Sequence, residues 1–269
     1  MTDVVDYHAQ VSMAFDSLAI DYDAVFGRNV IIERLRKKIY STVDFLVRPP
    51  ARLLDINCGT GTDGLYLAKC GFSVVGIDLS PRMIAEAVRK SRDVTNARFH
   101  EASYENLEEL EANTYDLVLS NFGGLNCTQN LSKVSEEVAA RLKPGGYFIA
   151  VIMPPFSLWE TFAYAHRGKM RKAFRRLKRN GTETQFNGKR FKVFYFSLDQ
   201  VKRACERDFK VIESYALNVI SPPPHAWKVA AKHPLLTATL ETIDDVCSHL
   251  PLYRSVGDHI VVVMRRKTT

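Results

Sequence analysis

Residues 53–61 read Leu53-Leu54-Asp55-Ile56-Asn57-Cys58-Gly59-Thr60-Gly61, and the reading of the fold starts here. A short apolar run enters a glycine-rich turn, and Leu65 to Lys69 continues as a helix that stops near Gly71. Glycines at a strand-to-helix turn tolerate positive φ and let the backbone approach a ligand. A second apolar run, Phe72 to Ile77, ends on Asp78. That is about 20 residues past the turn, the step expected of a carboxylate that holds ribose hydroxyls. Loop and acid together predict an adenosine-binding turn. Gly59-x-Gly61-x-x-Gly64 also matches the dinucleotide fingerprint. Asp55, however, interrupts a strand that would be apolar throughout in a sheet buried on both faces. A buried carboxylate needs a partner, and a cationic ligand end supplies one.

Working outward, Phe15, Leu18 and Tyr22, then Ile31, Leu35 and Ile39, recur at helical spacing, and Pro49-Pro50 closes this N-terminal arm. A helical arm ahead of the fingerprint strand is a second departure from the dinucleotide pattern. On the other side, Ser80 and Pro81 open a helix as N-cap and first residue. A weak strand from Ala97, a strand over Tyr115 to Ser120, a helix over Leu131 to Leu142 and a strand over Tyr147 to Met153 follow. Strand and helix in alternation mean a parallel sheet with helices on both faces. Beyond Met153 the spacing predicts a helical stretch from Phe156 to Arg179 and a hairpin over Glu183 to Phe196 around Asn187-Gly188. A helix then opens at Ser197, with Gln200 completing a capping box. A strand over Phe209 to Ile220, a break at Pro222-Pro223-Pro224, two helical segments and a last strand, His259 to Arg265, complete the chain. The expected organisation is a helical arm (1–48), a cofactor-binding core (49–153), a cap insertion of helix and hairpin (154–197), and the rest of the core (198–269) with a helical insertion at 221–257.

The 269 residues suffice for a full core, and the formal charge of +7 favours an anionic partner without choosing among nucleic acid, phosphorylated metabolite and membrane surface. Cys58, Cys70, Cys127, Cys205 and Cys247 are odd in number and widely spaced, with no C-x-x-C pair and no histidines at metal-ligand spacing. A disulfide framework and a metal site are therefore not expected, and a reducing, cytoplasmic setting is. Met1 to Gln10 lacks the pattern of a signal peptide, and no apolar run is long enough to span a bilayer.

Leu53 to Ala87 resembles the first two motifs of the class I S-adenosylmethionine-dependent methyltransferases. Tyr115-Asp116-Leu117-Val118-Leu119-Ser120-Asn121 resembles the family's fourth strand, and Leu142-Lys143-Pro144-Gly145-Gly146-Tyr147-Phe148 the turn into its fifth. The resemblance covers about Phe15 to Met153. It implies a three-layer, Rossmann-like α/β fold with a mostly parallel seven-stranded sheet and an antiparallel last strand. It further implies S-adenosylmethionine as cofactor and S-adenosylhomocysteine as product. Asp55, Asn57, Cys58, Gly59, Thr60 and Gly61 would line the methionine half, and Asp78 would bind the ribose with Leu79 and Met83 beside the adenine. Ser103 falls where many members place an acid facing the adenine amine, and Tyr104 follows it. Asn121 and Phe122 end the fourth strand where cofactor and substrate meet, and Tyr22 aligns with an aromatic that closes over the cofactor. Two departures stand out. Asn57 replaces the motif's first glycine and is expected to survive there through tolerance of left-handed backbone. Ser103 replaces the acid, and can still accept a hydrogen bond.

Methyl transfer is an in-line displacement for which orientation matters most, so no catalytic triad is expected. Asn121-Phe122-Gly123-Gly124 does not resemble the Asn/Asp-Pro-Pro-aromatic motif of enzymes acting on exocyclic or amide nitrogens. A small-molecule or lipid-like acceptor is therefore the leading expectation. Candidate pocket residues are Tyr7, His8, Trp159, Tyr195, His225 and Trp227, with His225 as the candidate general base. His166 to Arg179 reads as a basic amphipathic helix with Met170, Ala173, Phe174 and Leu177 on one face. Its docking on nucleic acid or an anionic membrane surface is one reading, and a solvated cap helix the other. An RNA (tRNA) or protein methyltransferase, and a non-catalytic cofactor-binding partner subunit, are the alternatives.

Overall fold

A computed structural model describes residues 2–26 and 29–268. The chain enters through α1 (Thr2–Asp16), α2 (Tyr22–Phe26) and α3 (Val30–Leu46). Asn29 caps α3, its side-chain oxygen accepting from the Ile31 and Ile32 amides. The core alternates β1 (Arg52–Asp55), α4 (Thr62–Lys69), β2 (Ser73–Asp78), α5 (Pro81–Lys90), β3 (Ala97–Glu101), β4 (Tyr115–Ser120), α6 (Leu131–Arg141) and β5 (Leu142–Ile152). The cap holds α7 (Leu158–His166), α8 (Met170–Ala173) and the hairpin β6 (Thr182–Phe186) and β7 (Lys189–Val193). The chain then returns through α9 (Leu198–Cys205), β8 (Phe209–Leu217), α10 (Trp227–Lys232), α11 (Pro234–Cys247) and β9 (His259–Arg266).

The sheet has seven strands in the order β3-β2-β1-β4-β5-β9-β8, and only β9 runs antiparallel to its neighbours. This is the expected α/β architecture. Successive side chains of a strand point to opposite faces. Leu53 accordingly joins Leu117, Ile149 and Val263 in one layer under α3, α4 and α5. Leu54 joins Val118, Phe148 and Val262 in the other, under α6 and α9. Ser80 and Pro81 start α5 as expected, and the Ser197–Gln200 capping box starts α9. Asn187 (φ 45°) and Gly188 (φ 79°) make the two-residue hairpin turn. The hairpin lies on the arm, with Phe191 and Val193 buried against Val11 and Ala14 of α1.

The expected helix over 156–179 is not continuous. Gly168 (φ 69°) breaks it, and Arg175 to Leu177 form only a short 3-10 turn. Nor do the apolar residues of 166–179 form a buried face. Ala173 is buried, but Met170, Phe174 and Leu177 are exposed, while Arg176 is inside. The reason is long-range: Glu160 accepts from Arg175 Nε (2.5 Å) and Arg176 Nε (2.8 Å), and Arg176 also pairs with Asp258 at 3.0 Å. Two of the segment's cations are thereby drawn inward at the cost of helical continuity.

Candidate cofactor pocket

Between β1 and β4 the strand order reverses, and the crevice at the carboxyl ends of these strands is where open α/β sheets bind ligands. A pocket lies there, about 940 Å³ with its open mouth included. Its walls include Tyr22, Asn57, Cys58, Gly59, Thr60, Asp78, Leu79, Met83, Ser103, Tyr104, Asn121 and Phe122, together with His8. Of the other residues singled out in the sequence, Asp55, Gly61, Tyr7, Trp159, Tyr195, His225 and Trp227 are not among its walls.

Asp78 ends β2, and each of its oxygens already accepts a backbone N–H, from Gly59 and from Ser80, both at 2.9 Å. Burial pushes its pKa up to about 6, against the pull of these amides. The remaining lone pairs face a pocket flanked by Leu79 and Met83, which suits hydroxyls on a ribose-sized ring. Gly59 (φ 53°) presents open backbone there; a Cβ on it would meet nothing nearer than Tyr22 Cε1 at 4.0 Å. Gly61 serves differently. Its missing Cβ would lie 2.9 Å from both Phe99 and Ala87, so this glycine packs the turn onto the sheet and leaves the ligand to others.

Asn57 does not use left-handed backbone, contrary to expectation; within 53–61 only Gly59 and Gly61 have positive φ. Its amide instead bridges to β4. Nδ2 donates to the Asn121 carbonyl at 2.8 Å, and Oδ1 accepts from the Ser120 hydroxyl. Gly124 makes this possible, because a Cβ there would overlap the Asn57 amide. The strained residue is Phe122, held at φ 46° with its N–H donated to Asn121 Oδ1 at 2.9 Å.

Several wall residues escaped the sequence reading, above all Arg36, Thr62 and Asp63. Arg36 Nε donates to Asp63 Oδ1 at 2.9 Å, and the guanidinium lies 5.4 Å from the Phe122 ring centre. Tyr40 donates to the same Asp63 oxygen at 2.6 Å, and Asn121 Nδ2 to the other at 3.1 Å. This cluster ties α3, α4 and the end of β4 together at the pocket wall. The available signal was a cation, Arg36, one residue after Leu35 and three before Ile39 in an apolar stripe. A second tie runs from Asp23, which accepts from Thr60 (2.7 Å) and Lys90 (2.6 Å) and so holds α2 against the glycine turn. Ser103 Oγ accepts from the Glu105 amide at 3.2 Å, and His8 pairs with Glu105 at 3.3 Å beside Tyr104. Tyr195 instead packs under Arg176, 5.3 Å from its ring centre, and Tyr7 donates to the Lys192 carbonyl at 2.9 Å. Trp227 starts α10, and both it and His225 are exposed.

Asp55 is the unusual group. It is buried, and neither carboxylate oxygen makes a well-formed hydrogen bond. Burial first, and then the Asp63 charge, push its pKa well above the usual carboxylate range, outweighing the nearby Asn57 N–H. An uncompensated buried acid behind this wall leaves the pocket region short of positive charge. No group of His, Cys, Asp and Glu suited to a metal occurs among the described residues.

Fold and site together define a protein built to bind a nucleoside-bearing, partly cationic ligand at the switch point of a doubly wound sheet. Residues 53–146 match the family model of a methyltransferase domain. Over these residues the chain carries a methyltransferase domain. It is 31% identical over 101 residues to ribosomal protein L11 methyltransferase of Burkholderia ambifaria, which covers 37% of this chain and 31% of that protein. To demethylmenaquinone methyltransferase of Beutenbergia cavernae it is 31% identical over 162 residues, 56% of this chain and 62% of that one. It thus spans less than two thirds of these curated relatives. The [4+2]-cyclase SpnF shares the fold over 96% of both chains, with a TM-score of 0.63 at 15% identity. That likeness concerns fold alone.

The pocket's residues fit S-adenosylmethionine. Asp78 would offer acceptors for its ribose hydroxyls, Leu79 and Met83 apolar walls for its adenine, and Arg36 a guanidinium for its carboxylate. Asp55, whose charged form burial disfavours in the free protein, would be stabilised as a carboxylate by the ammonium and sulfonium placed near it.

Proposed function

We propose that the chain is a methyltransferase that uses S-adenosylmethionine to methylate a small-molecule or lipid-like acceptor. The supporting observation is the pairing of Asp78, with unused acceptor capacity at the pocket wall, and Asp55, buried without a cationic partner, on either side of the glycine turn. When bound, the cofactor supplies an electrophilic methyl group on a sulfonium. The chain's own residues orient and enclose it. Tyr22 and Asp23 hold the arm over the glycine turn, and Arg36 and Asn121 are fixed through Asp63. The N-terminal arm, which lines the pocket with His8, Val11 and Phe15 and is itself backed by the cap hairpin, encloses an acceptor and keeps water from the sulfonium. His225 lies outside the pocket walls, so the reading assigns it no proton transfer. His8 is the histidine among the walls, already paired with Glu105.

Calorimetry with S-adenosylmethionine and S-adenosylhomocysteine tests the cofactor half of this reading. Saturable binding of both is expected, and no heat at millimolar cofactor would sink it. Transfer of labelled methyl groups to an organic-soluble extract, and not to bulk tRNA or protein, tests the acceptor half.

A further inference from the structure

We propose that the α7–α8 face of the cap docks on an anionic lipid bilayer. On α7, Leu158, Phe162 and His166 follow one another at four-residue steps and are all exposed, Phe162 by 74%. After the Gly168 break, Met170 (52%) on α8, Phe174 and Leu177 (55%) on the 3-10 turn make a second exposed apolar set. The opposite side of this pair is turned inward. Glu160 and Ala173 are buried, and Thr161 donates to the Ala173 carbonyl at 3.3 Å. Phe162 stacks on His166 with ring centres 6.1 Å apart, and the pair still leaves its outer surface to solvent.

The charge around these residues has one sign. No acid lies between Glu160 and Glu183. Arg175 and Arg176 are consumed by Glu160 and Asp258, which leaves Arg167, Lys169, Arg171, Lys172, Lys178 and Arg179 exposed beside the apolar residues. The occupant must therefore be both anionic and able to bury hydrocarbon. A nucleic acid backbone satisfies the first requirement alone. An anionic bilayer satisfies both, with phosphates meeting the lysines and arginines while Phe162, Phe174 and Leu177 enter the acyl boundary. The face follows directly from β5, at the sheet edge that carries the pocket, and the same Leu177–Asn180 stretch walls a second cavity, about 1420 Å³ with its open mouth included, with Lys192, Phe194 and Phe196. That such a surface would bring a lipid-like acceptor to the chain rests on the methyltransferase reading; the docking itself does not.

The test is co-flotation of the full chain with vesicles of phosphatidylcholine alone or mixed with phosphatidylglycerol, at low and high salt. Flotation with the anionic vesicles only, lost at high salt, is expected. Each basic residue at such a surface is worth about fivefold in partitioning, so R171A/K172A should bind about 30-fold more weakly. Phe162→Ser with Phe174→Ser should also reduce flotation, while cofactor heats in both variants stay those of the wild type. Absence of flotation by the wild type overturns the proposal, as does equal flotation by R171A/K172A. So does displacement by tRNA combined with indifference to the two phenylalanine changes, which would mark the face as a nucleic-acid surface. A wild type that floats but takes up no cofactor would remove the methyltransferase reading and leave the docking face standing.

Discussion

Asp78→Asn separates cofactor recognition from folding, because the two depend on its charge in opposite ways. In the free protein the ionised carboxylate is a liability: burial raises its pKa from 3.8 to about 6. Each unit is worth about 1.4 kcal/mol, so ionisation at neutral pH costs up to about 3 kcal/mol. The native state holds more protons than the unfolded chain between these two values. Stability from this group therefore falls as pH rises across that window and is level above about 6. Asparagine removes the charge penalty but gives up one acceptor for the Gly59 or Ser80 amide, about 1–3 kcal/mol. The two roughly cancel, and the melting temperature of the unliganded protein at neutral pH should barely move. Binding is another matter. Hydrogen bonds from ribose hydroxyls to a charged acceptor contribute about 1.5–3 kcal/mol, so S-adenosylmethionine should bind about 10- to 150-fold more weakly. In the wild type, proton and ribose compete for the Asp78 carboxylate, so affinity should show a break near pH 6 and fall by up to a further tenfold per unit below it. Asp78→Asn should lose that break and keep only the dependence that Asp55, also raised by burial, gives both proteins. Calorimetry across the pH range reads both. Unchanged affinity in the variant, or a wild-type profile with no break near 6, would refute the assignment of Asp78 to the ribose.

Gly124→Ala should destabilise the protein by about 1–3 kcal/mol, since its methyl would overlap the Asn57 amide. Adding Asn57→Gly should restore most of that loss in a thermal melt, which a merely local effect of alanine would not allow. Glu160→Gln should cost about 3–5 kcal/mol at neutral pH, because it removes the charge that Arg175 and Arg176 share and turns one of their two acceptor oxygens into a donor. Burial alone would raise Glu160 and Asp258, but arginines outweigh it at Glu160, and His259 with Arg176 and His225 at Asp258, holding both carboxyls below their ordinary range. Their stabilisation is present above the unfolded pKa near 4 and lost as pH falls, so acid unfolding of the wild type should be steeper than that of Glu160→Gln.

What could be read in the chain was what a few neighbouring residues decide. Ser80-Pro81, Ser197 with Gln200 and Asn187-Gly188 each settle a terminus or turn within four residues, and all three stand as read. The glycine turn and Asp78 were legible for the same reason, their spacing being set by one strand–helix–strand unit. Arg36 and Asp63 were not. They are 27 residues apart, and their pairing exists only because α3 lies over α4 against the sheet. Asn57 was visible as a departure, but its conformation was misjudged, since the compensating glycine is Gly124, far along the chain on the β4 side.

The basic segment shows why charge read along a chain overstates what is free to meet a partner. Between Glu160 and Glu183 the sequence offers cations at nearly every turn, and helical spacing assigns Arg175 and Arg176 to an outer face. The fold places Arg176 inside, bridging Glu160 at the start of α7 to Asp258 at the entry to β9. That bridge pins the cap to the central sheet, three strands from the one that leads into the cofactor turn. Asp258 is followed by His259, whose ring meets Phe122 edge-on at 6.0 Å. One chain of contacts thus runs from the outer cap to the strained residue at the pocket wall. The inward arginines therefore fix the cap to the sheet, and only the outward ones stay free to meet a partner.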